Sequence, residues 1–312
     1  MNKEEVYDNK DLMDAAQKLS DATRGEKDFR MAVNVLEDLA RGITAFKSHN
    51  SSKKATIFGS ARMSANTPAY EMVKEVASLL SADNYLVITG GGPGIMEAGL
   101  KGAKIGNRLG VTIDLPFEVP DLNKEKSDGW PLARQSLFFT RKLAMVRNVQ
   151  AFIAAPGGFG TFDELFEVLT LMQTGKSKPT PLVLMETPDF PIWSKLDSVI
   201  KEILVGNGLI DVKDTSLYFI TQSPNEAFEY IQNFWKNYDG LHLEGDTLTI
   251  GYKDSVTSKT LDDIFATRGV NSYPRVDELS QTISFEYQKH YWCDIFEIIH
   301  NLNDTNINNE SR

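Results

Sequence analysis

The sequence predicts an α/β protein built on an open, doubly wound parallel sheet, with a helical segment before it and an extension after it. Three observations carry this. Strand-like and helix-like stretches alternate from Ala55 to about Asn237. The strand-like ones are apolar throughout rather than at every second position, as expected when both faces of a sheet are covered. Two of them run directly into glycine-rich turns, Gly90-Gly91-Gly92-Pro93-Gly94 and Pro156-Gly157-Gly158-Phe159-Gly160.

The elements follow in order. Residues 1–54 are polar with helical spacing, and Met31, Val35, Leu36 and Leu39 recur on one helix face before a polar linker, His49–Lys54. Ala55–Phe58 is a strand stopped by Gly59, Pro68–Ser81 a helix, and Tyr85–Thr89 a strand. Ile95–Ile105 has helix spacing; Arg108–Leu115 and Ala151–Ala155 hold strands. Thr161–Thr174 is a helix, Pro181–Met185 a strand, Ile192–Leu204 a helix, Leu217–Ile220 the last strand and Pro224–Asn237 the last helix of the alternating region. Such alternation implies right-handed crossovers between parallel strands. The predicted domains are residues 1–54, 55–238 and 239–312. Within the last, Leu241–Ile250 reads as a hairpin around Glu244-Gly245-Asp246, Ile283–Leu302 as a helix, and the terminal NDTNINNESR as disordered.

Composition narrows the function. The chain has 312 residues, 41% of them hydrophobic and 24% charged, with a formal charge of −10. An acidic chain has no global attraction to nucleic acid or anionic membrane. A single cysteine, Cys293, excludes an intramolecular disulfide and suits a reducing compartment. The charged N-terminus is not a signal peptide, and no apolar run approaches the roughly 20 residues of a membrane helix. A cytoplasmic protein with no nucleic-acid or membrane partner is expected.

Four motifs carry possible chemistry. In the first glycine turn, Gly91, Gly92 and Gly94 let backbone approach a ligand, and the helix opening with Met96 and Glu97 aims N–H groups at an anion. The spacing is not that of a dinucleotide fingerprint, and a turn without ligand is the plain alternative. The second turn repeats the geometry: Gly157, Gly158 and Gly160 precede Thr161, whose hydroxyl caps the helix or contacts a phosphate, and Glu164 lies one turn on. The alternative is a capping box joining Thr161 and Glu164. In FFTRKLAMVR, Arg141 and Lys142 can hold a phosphate or carboxylate, or form a solvated basic face. After the first strand, Gly59 and Ser60 stand at the same sheet edge. Other features fail: Gly175-Lys176-Ser177 lacks the upstream glycine of a P-loop, Thr170 standing there instead, and His290-x-x-Cys293 has no further ligand nearby. No nucleophile elbow and no basic stripe interleaved with aromatics occurs.

The series IFGSAR, VITGGGPGIMEA, FFTRKLAMV and PGGFGTFDE, in that order between Ala55 and Lys236, resembles the LOG family. These are cytokinin-activating phosphoribohydrolases and their bacterial nucleotide-nucleosidase relatives, once labelled possible lysine decarboxylases. The resemblance implies a Rossmann-like fold and hydrolysis of the N-glycosidic bond of a nucleoside 5′-monophosphate to free base and ribose 5-phosphate. It implies Arg141 and Glu164 as the catalytic pair. The PGGFGT glycines with Thr161 would hold the 5′-phosphate, and the GGGPGIME turn with Glu97 would line the ribose and base side. It implies a homodimer or higher homo-oligomer, no metal and no organic cofactor. The FGSAR and FFTRK contexts resemble the bacterial branch, which makes AMP or a related purine nucleotide the expected substrate. Two rivals stand beside this: a nucleotide-binding sensor without hydrolysis, and a decarboxylase, which needs a pyridoxal phosphate lysine that no local context here marks.

Overall fold

A computed structural model describes residues 8–47, 53–113 and 130–304. At its centre β1 (Lys53–Phe58) pairs in parallel with β2 (Tyr85–Thr89) on one side and β5 (Ala151–Ala154) on the other. Beyond β2 lie β3 (Arg108–Ile113) and β4 (Leu132–Gln135); beyond β5 lie β6 (Leu182–Met185) and β7 (Phe219–Thr221). The order is β4-β3-β2-β1-β5-β6-β7, every pair parallel. This is the Rossmann-like, doubly wound arrangement, and its order reverses between β1 and β5.

The apolar strands are explained by two cores. Tyr85 and Val87, Ala151 and Ile153, Val183 and Met185 pack on one face, with Val73, Val76 and Leu80 of α3 (Pro68–Ala82). Leu86 and Ile88, Phe152 and Ala154, Leu182 and Leu184 pack on the other, with Leu165, Val168 and Met172 of α6 (Phe159–Gln173). Neighbouring residues of one strand thus serve opposite cores, and even polar strand residues such as Thr56 and Thr89 are buried. The remaining crossover helices are α4 (Ile95–Gly102), α5 (Phe138–Val146), α7 (Ile192–Val199) and α8 (Pro224–Phe234). The helix expected over Ile192–Leu204 continues α7 as a wider turn over Ile200–Val205.

Before the sheet stand α1 (Asn9–Ala22) and α2 (Gly25–Lys47), and α2 packs on β4 and α5. The residues it buries are Ala32, Asp38 and Gly42. Met31 and Leu36, assigned to an apolar face from their spacing, are 55% and 42% exposed. Of the linker expected over residues 49–54, Lys53 and Lys54 begin β1 and the rest lies outside the described residues.

After α8 the chain forms a second, antiparallel sheet, β10-β11-β9-β8, from β8 (Tyr238–Glu244), β9 (Thr247–Tyr252), β10 (Arg275–Asp277) and β11 (Thr282–Glu286), with α9 (Ser258–Phe265) between β9 and β10. The hairpin expected over Leu241–Ile250 is β8–β9. The single helix expected over Ile283–Leu302 is corrected: β11 comes first, then a 3₁₀ turn over Lys289–Asp294, then α10 (Ile295–Asn303). Two periods adjoin there. Ile283, Phe285 and Tyr287 alternate inward, while Ile295, Ile298, Ile299 and Leu302 follow helix spacing. These side chains, with Leu248 and Ile250, join the same buried cluster as Leu165 and Met172. Asn303 accepts from the backbone N–H groups of Asn237 and Tyr238, at 2.8 and 3.0 Å, tying α10 to the end of α8. The expected disorder of the last residues falls, from Thr305 on, outside the described residues.

Candidate functional site

A cleft of about 700 Å³ opens where the strand order reverses, at the carboxyl ends of β1 and β5. Loops following β1, β2 and β5 converge there. Ser60 N–H donates to the Pro156 carbonyl at 3.1 Å, and Ile95 N–H donates to the Ser60 carbonyl at 3.0 Å. Gly94 makes this meeting possible: its φ is +70°, and a Cβ there would collide with the Ser60 carbonyl.

Helix α6 begins at Phe159, two residues earlier than the predicted start, with Gly158 at the N-cap position and no side-chain cap. Thr161 is therefore inside the first turn rather than capping it, and the alternative capping box with Glu164 is absent. A Cβ at Gly157 would strike the Thr161 side chain, so the turn closes tightly on that hydroxyl. No acidic residue occupies this first turn, so the partial positive charge of the helix end is left for a ligand.

Glu164 and Arg141 face each other across the cleft, with side chains 11% and 12% exposed. The guanidinium is fixed from behind: Nε donates to the Val111 carbonyl at 2.9 Å and Nη2 to the Gly90 carbonyl at 3.4 Å. Nη1 stands 3.6 Å from Glu164 Oε1, too far for a hydrogen bond, so both groups keep bonding capacity for a third. Burial pushes the Glu164 carboxyl up to about 7, although Arg141 and Lys142 draw it down. Burial likewise lowers Arg141, opposed by Glu164. A guanidinium remains charged at neutral pH regardless.

The structure brings Gly59, Ser60, Met96, Arg141, Gly158, Gly160, Thr161 and Glu164 to the cleft lining. Gly91, Gly92, Gly94, Gly157, Glu97 and Lys142 stand outside it. Gly91 packs on Gly110 and Thr112, and Gly92 under Met96. Glu97 is paired with Lys101 at 2.6 Å, and Lys142 Nζ is held by Asp163 at 2.7 Å and Glu167 at 3.1 Å. The solvated-face alternative for Lys142 is thus replaced by an ion pair joining α5 to α6. Sequence reasoning passed over Arg62, Met145 and Phe159, which also line the cleft. Arg62 is exposed with no ion pair among the described residues, and Phe159 is 97% exposed. An arginine three residues after Gly59 and an aromatic inside the second glycine turn were the available signals. Among the described residues no cluster of His, Cys, Asp and Glu fits a metal ion.

A family model described as "Possible lysine decarboxylase" matches residues 93–231, a span that includes α5, α6 and the Arg141–Glu164 pair. The matched region is similar to proteins of the LOG family. The LOG relatives it matches include a probable cytokinin riboside 5′-monophosphate phosphoribohydrolase, LOGL2, of Oryza sativa subsp. japonica, 33% identical over 30% of this chain and 37% of that one. LOG2 of Arabidopsis thaliana is 30% identical over 36% of this chain and 57% of its own. A third, the probable LOG4 of Oryza sativa subsp. japonica, is 29% identical over 47% and 62%. The matches thus span less than two thirds of each of these LOG proteins. Among solved structures, a molybdenum cofactor carrier protein from Chlamydomonas reinhardtii aligns at 19% identity and a TM-score of 0.40, over 58% of this chain and 96% of that one.

Proposed function

We propose that the protein hydrolyses the N-glycosidic bond of a purine nucleoside 5′-monophosphate, releasing free base and ribose 5-phosphate. The observation that carries this reading is the buried Glu164 carboxyl, poised near neutrality, facing a fixed guanidinium beside an uncapped helix end. The 5′-phosphate binds at the start of α6, where the first-turn N–H groups and the Thr161 hydroxyl supply donors. That remote contact positions the ribose, so the anomeric carbon lies against Glu164. As the C1′–N bond breaks, positive charge develops on the ribose and the ionised carboxylate stabilises it. Glu164 then takes a proton from the attacking water, whose oxygen bonds to C1′. The leaving base takes up a proton, and Arg141 stabilises the negative charge that it develops.

The names of the relatives support the bond and the monophosphate requirement; the purine preference is our own extension from the FGSAR and FFTRK contexts. A pyridoxal-dependent decarboxylase does not fit this cleft, since no lysine among the described residues lines it and Lys142 is committed to two carboxylates. The test is a panel of nucleoside monophosphates and matching nucleosides incubated with purified protein, with free base and ribose 5-phosphate separated by chromatography. Release from purine monophosphates but not from nucleosides is expected. Tight nucleotide binding with no release from any of them would replace this reading with that of a sensor.

A further inference from the structure

Helix α5 carries Arg141 but lacks a cap of its own: Leu137 occupies the N-cap position and offers no side-chain acceptor. The acceptor comes from α2, 98 positions earlier in the chain. Asp38 is fully buried. Its carboxylate accepts from Ser136 N–H at 2.9 Å and Leu137 N–H at 3.0 Å, and from the Thr140 hydroxyl at 2.6 Å. Arg41, one turn along α2, pairs with Asp38 at 2.5 Å. It also donates Nε to the Arg134 carbonyl at 3.1 Å and Nη2 to the Ser136 hydroxyl at 3.2 Å. Two side chains of α2 therefore grip the whole turn from β4 into α5. At the other end of α5 the buried Thr56 hydroxyl of β1 donates to the Met145 carbonyl at 2.7 Å. The helix is pinned at both ends, and Arg141 follows directly on Thr140.

We infer that Asp38 is a positioning residue for Arg141: by holding the turn that enters α5, and Thr140 in its first turn, from α2 it fixes where along the cleft the guanidinium meets Glu164. A carboxylate that holds the two N–H groups leading into a short helix, and a hydroxyl of its first turn, through charge-assisted hydrogen bonds fixes where that helix begins. The helical lead-in is then part of the site's construction, although none of its described residues lines the cleft. The inference rests on the proposed roles of Arg141 and Glu164.

The experiment compares full-length wild type with Asp38→Asn, Asp38→Ala and Arg41→Ala. Carboxyl ¹³C NMR follows the titration of Glu164, with Glu164→Gln identifying the signal, and steady-state kinetics follow turnover. The charges near Glu164 are Arg141 and Lys142 on α5 and Asp163 and Glu167 on its own helix. If Asp38 places Arg141, loosening α5 weakens the guanidinium's pull, and the Glu164 midpoint moves upward. We expect kcat to fall tenfold or more in Asp38→Ala and less in Asp38→Asn, with KM changed less than threefold. Should Asp38→Ala fail to fold, the folded Asp38→Asn and Arg41→Ala proteins decide. An unshifted Glu164 titration and an unchanged kcat in those proteins would overturn the inference. A shifted titration in protein that releases no base would uphold the positioning role and overturn only the hydrolase reading.

Discussion

Glu164 is asked to do two things that conflict: stay buried and carry charge. Its carboxyl, raised to about 7, is largely protonated in mild acid and ionised above neutrality. The proposed reaction uses the ionised form as base and as charge stabiliser, so kcat/KM should rise with pH and level off above about 7; a profile flat between pH 5 and 8 would remove Glu164 from that role. Stability runs the other way. A carboxyl with a folded pKa above its unfolded value contributes stability below the unfolded value and loses that contribution as pH rises through the folded one. Wild type should therefore lose stability relative to Glu164→Gln between about pH 4.5 and 7, as read by denaturant midpoints across that range. The same substitution should lower kcat by about 10²–10⁴-fold, the usual worth of a general base. Calorimetry should find nucleotide affinity kept within a few-fold, because the phosphate contact is remote from it.

At the scale of elements, the site depends on where helices start. Thr161 lies in the first turn of α6 with its hydroxyl against Gly157. Thr161→Val keeps the shape and removes the donor; it should raise KM for a nucleoside monophosphate about tenfold while leaving weak binding of the nucleoside unchanged. Gly94→Ala should lower stability by about 1–3 kcal/mol, the range for a non-glycine side chain at a strained backbone position, in urea denaturation. The strand Tyr85–Thr89 was readable to the residue, because all five positions are buried and its glycine turn ends it sharply. Strand β4 escaped notice: Leu-Ala-Arg-Gln is short and half polar, as befits the outermost strand of the sheet. Glu164 was legible from its spacing after a glycine turn, and Arg141 as half of a basic pair ahead of the strand Ala151–Ala154; their pairing came from the LOG resemblance. Asp38 was not, since its partners lie a hundred residues away and an aspartate on a polar helix has the ordinary look of a solvated surface.

Across the whole molecule, the C-terminal sheet and α10 share one buried cluster with the parallel sheet. The division at residue 239, drawn from the change of pattern and from chain length, falls within this shared packing. We expect a single cooperative thermal transition, and Ile298→Ala, removing a fully buried side chain of α10, should destabilise the whole chain by about 2–5 kcal/mol. Two separated transitions in calorimetry would count against a shared core. Among the described residues no helix is long and apolar enough to cross a membrane. Leu12, Met13, Phe29, Met31 and Ile43 of the first two helices stay exposed, and the homo-oligomer expected from the LOG resemblance would give them cover. Sedimentation as a monomer at micromolar concentration would remove that expectation.

The central place of β1 also has a meaning in time. Its backbone is flanked on one side by β5, and Lys54 N–H is satisfied by the Gln150 side chain, 96 positions later. Because a ribosome delivers the chain from its N-terminus, a strand that ends in the apolar Ile57 and Phe58 must wait, unpaired on that edge, until half the protein has emerged. During that interval β1 is a sticky template, and the nascent chain is most in need of a chaperone before Ala151–Ala154 leave the exit tunnel.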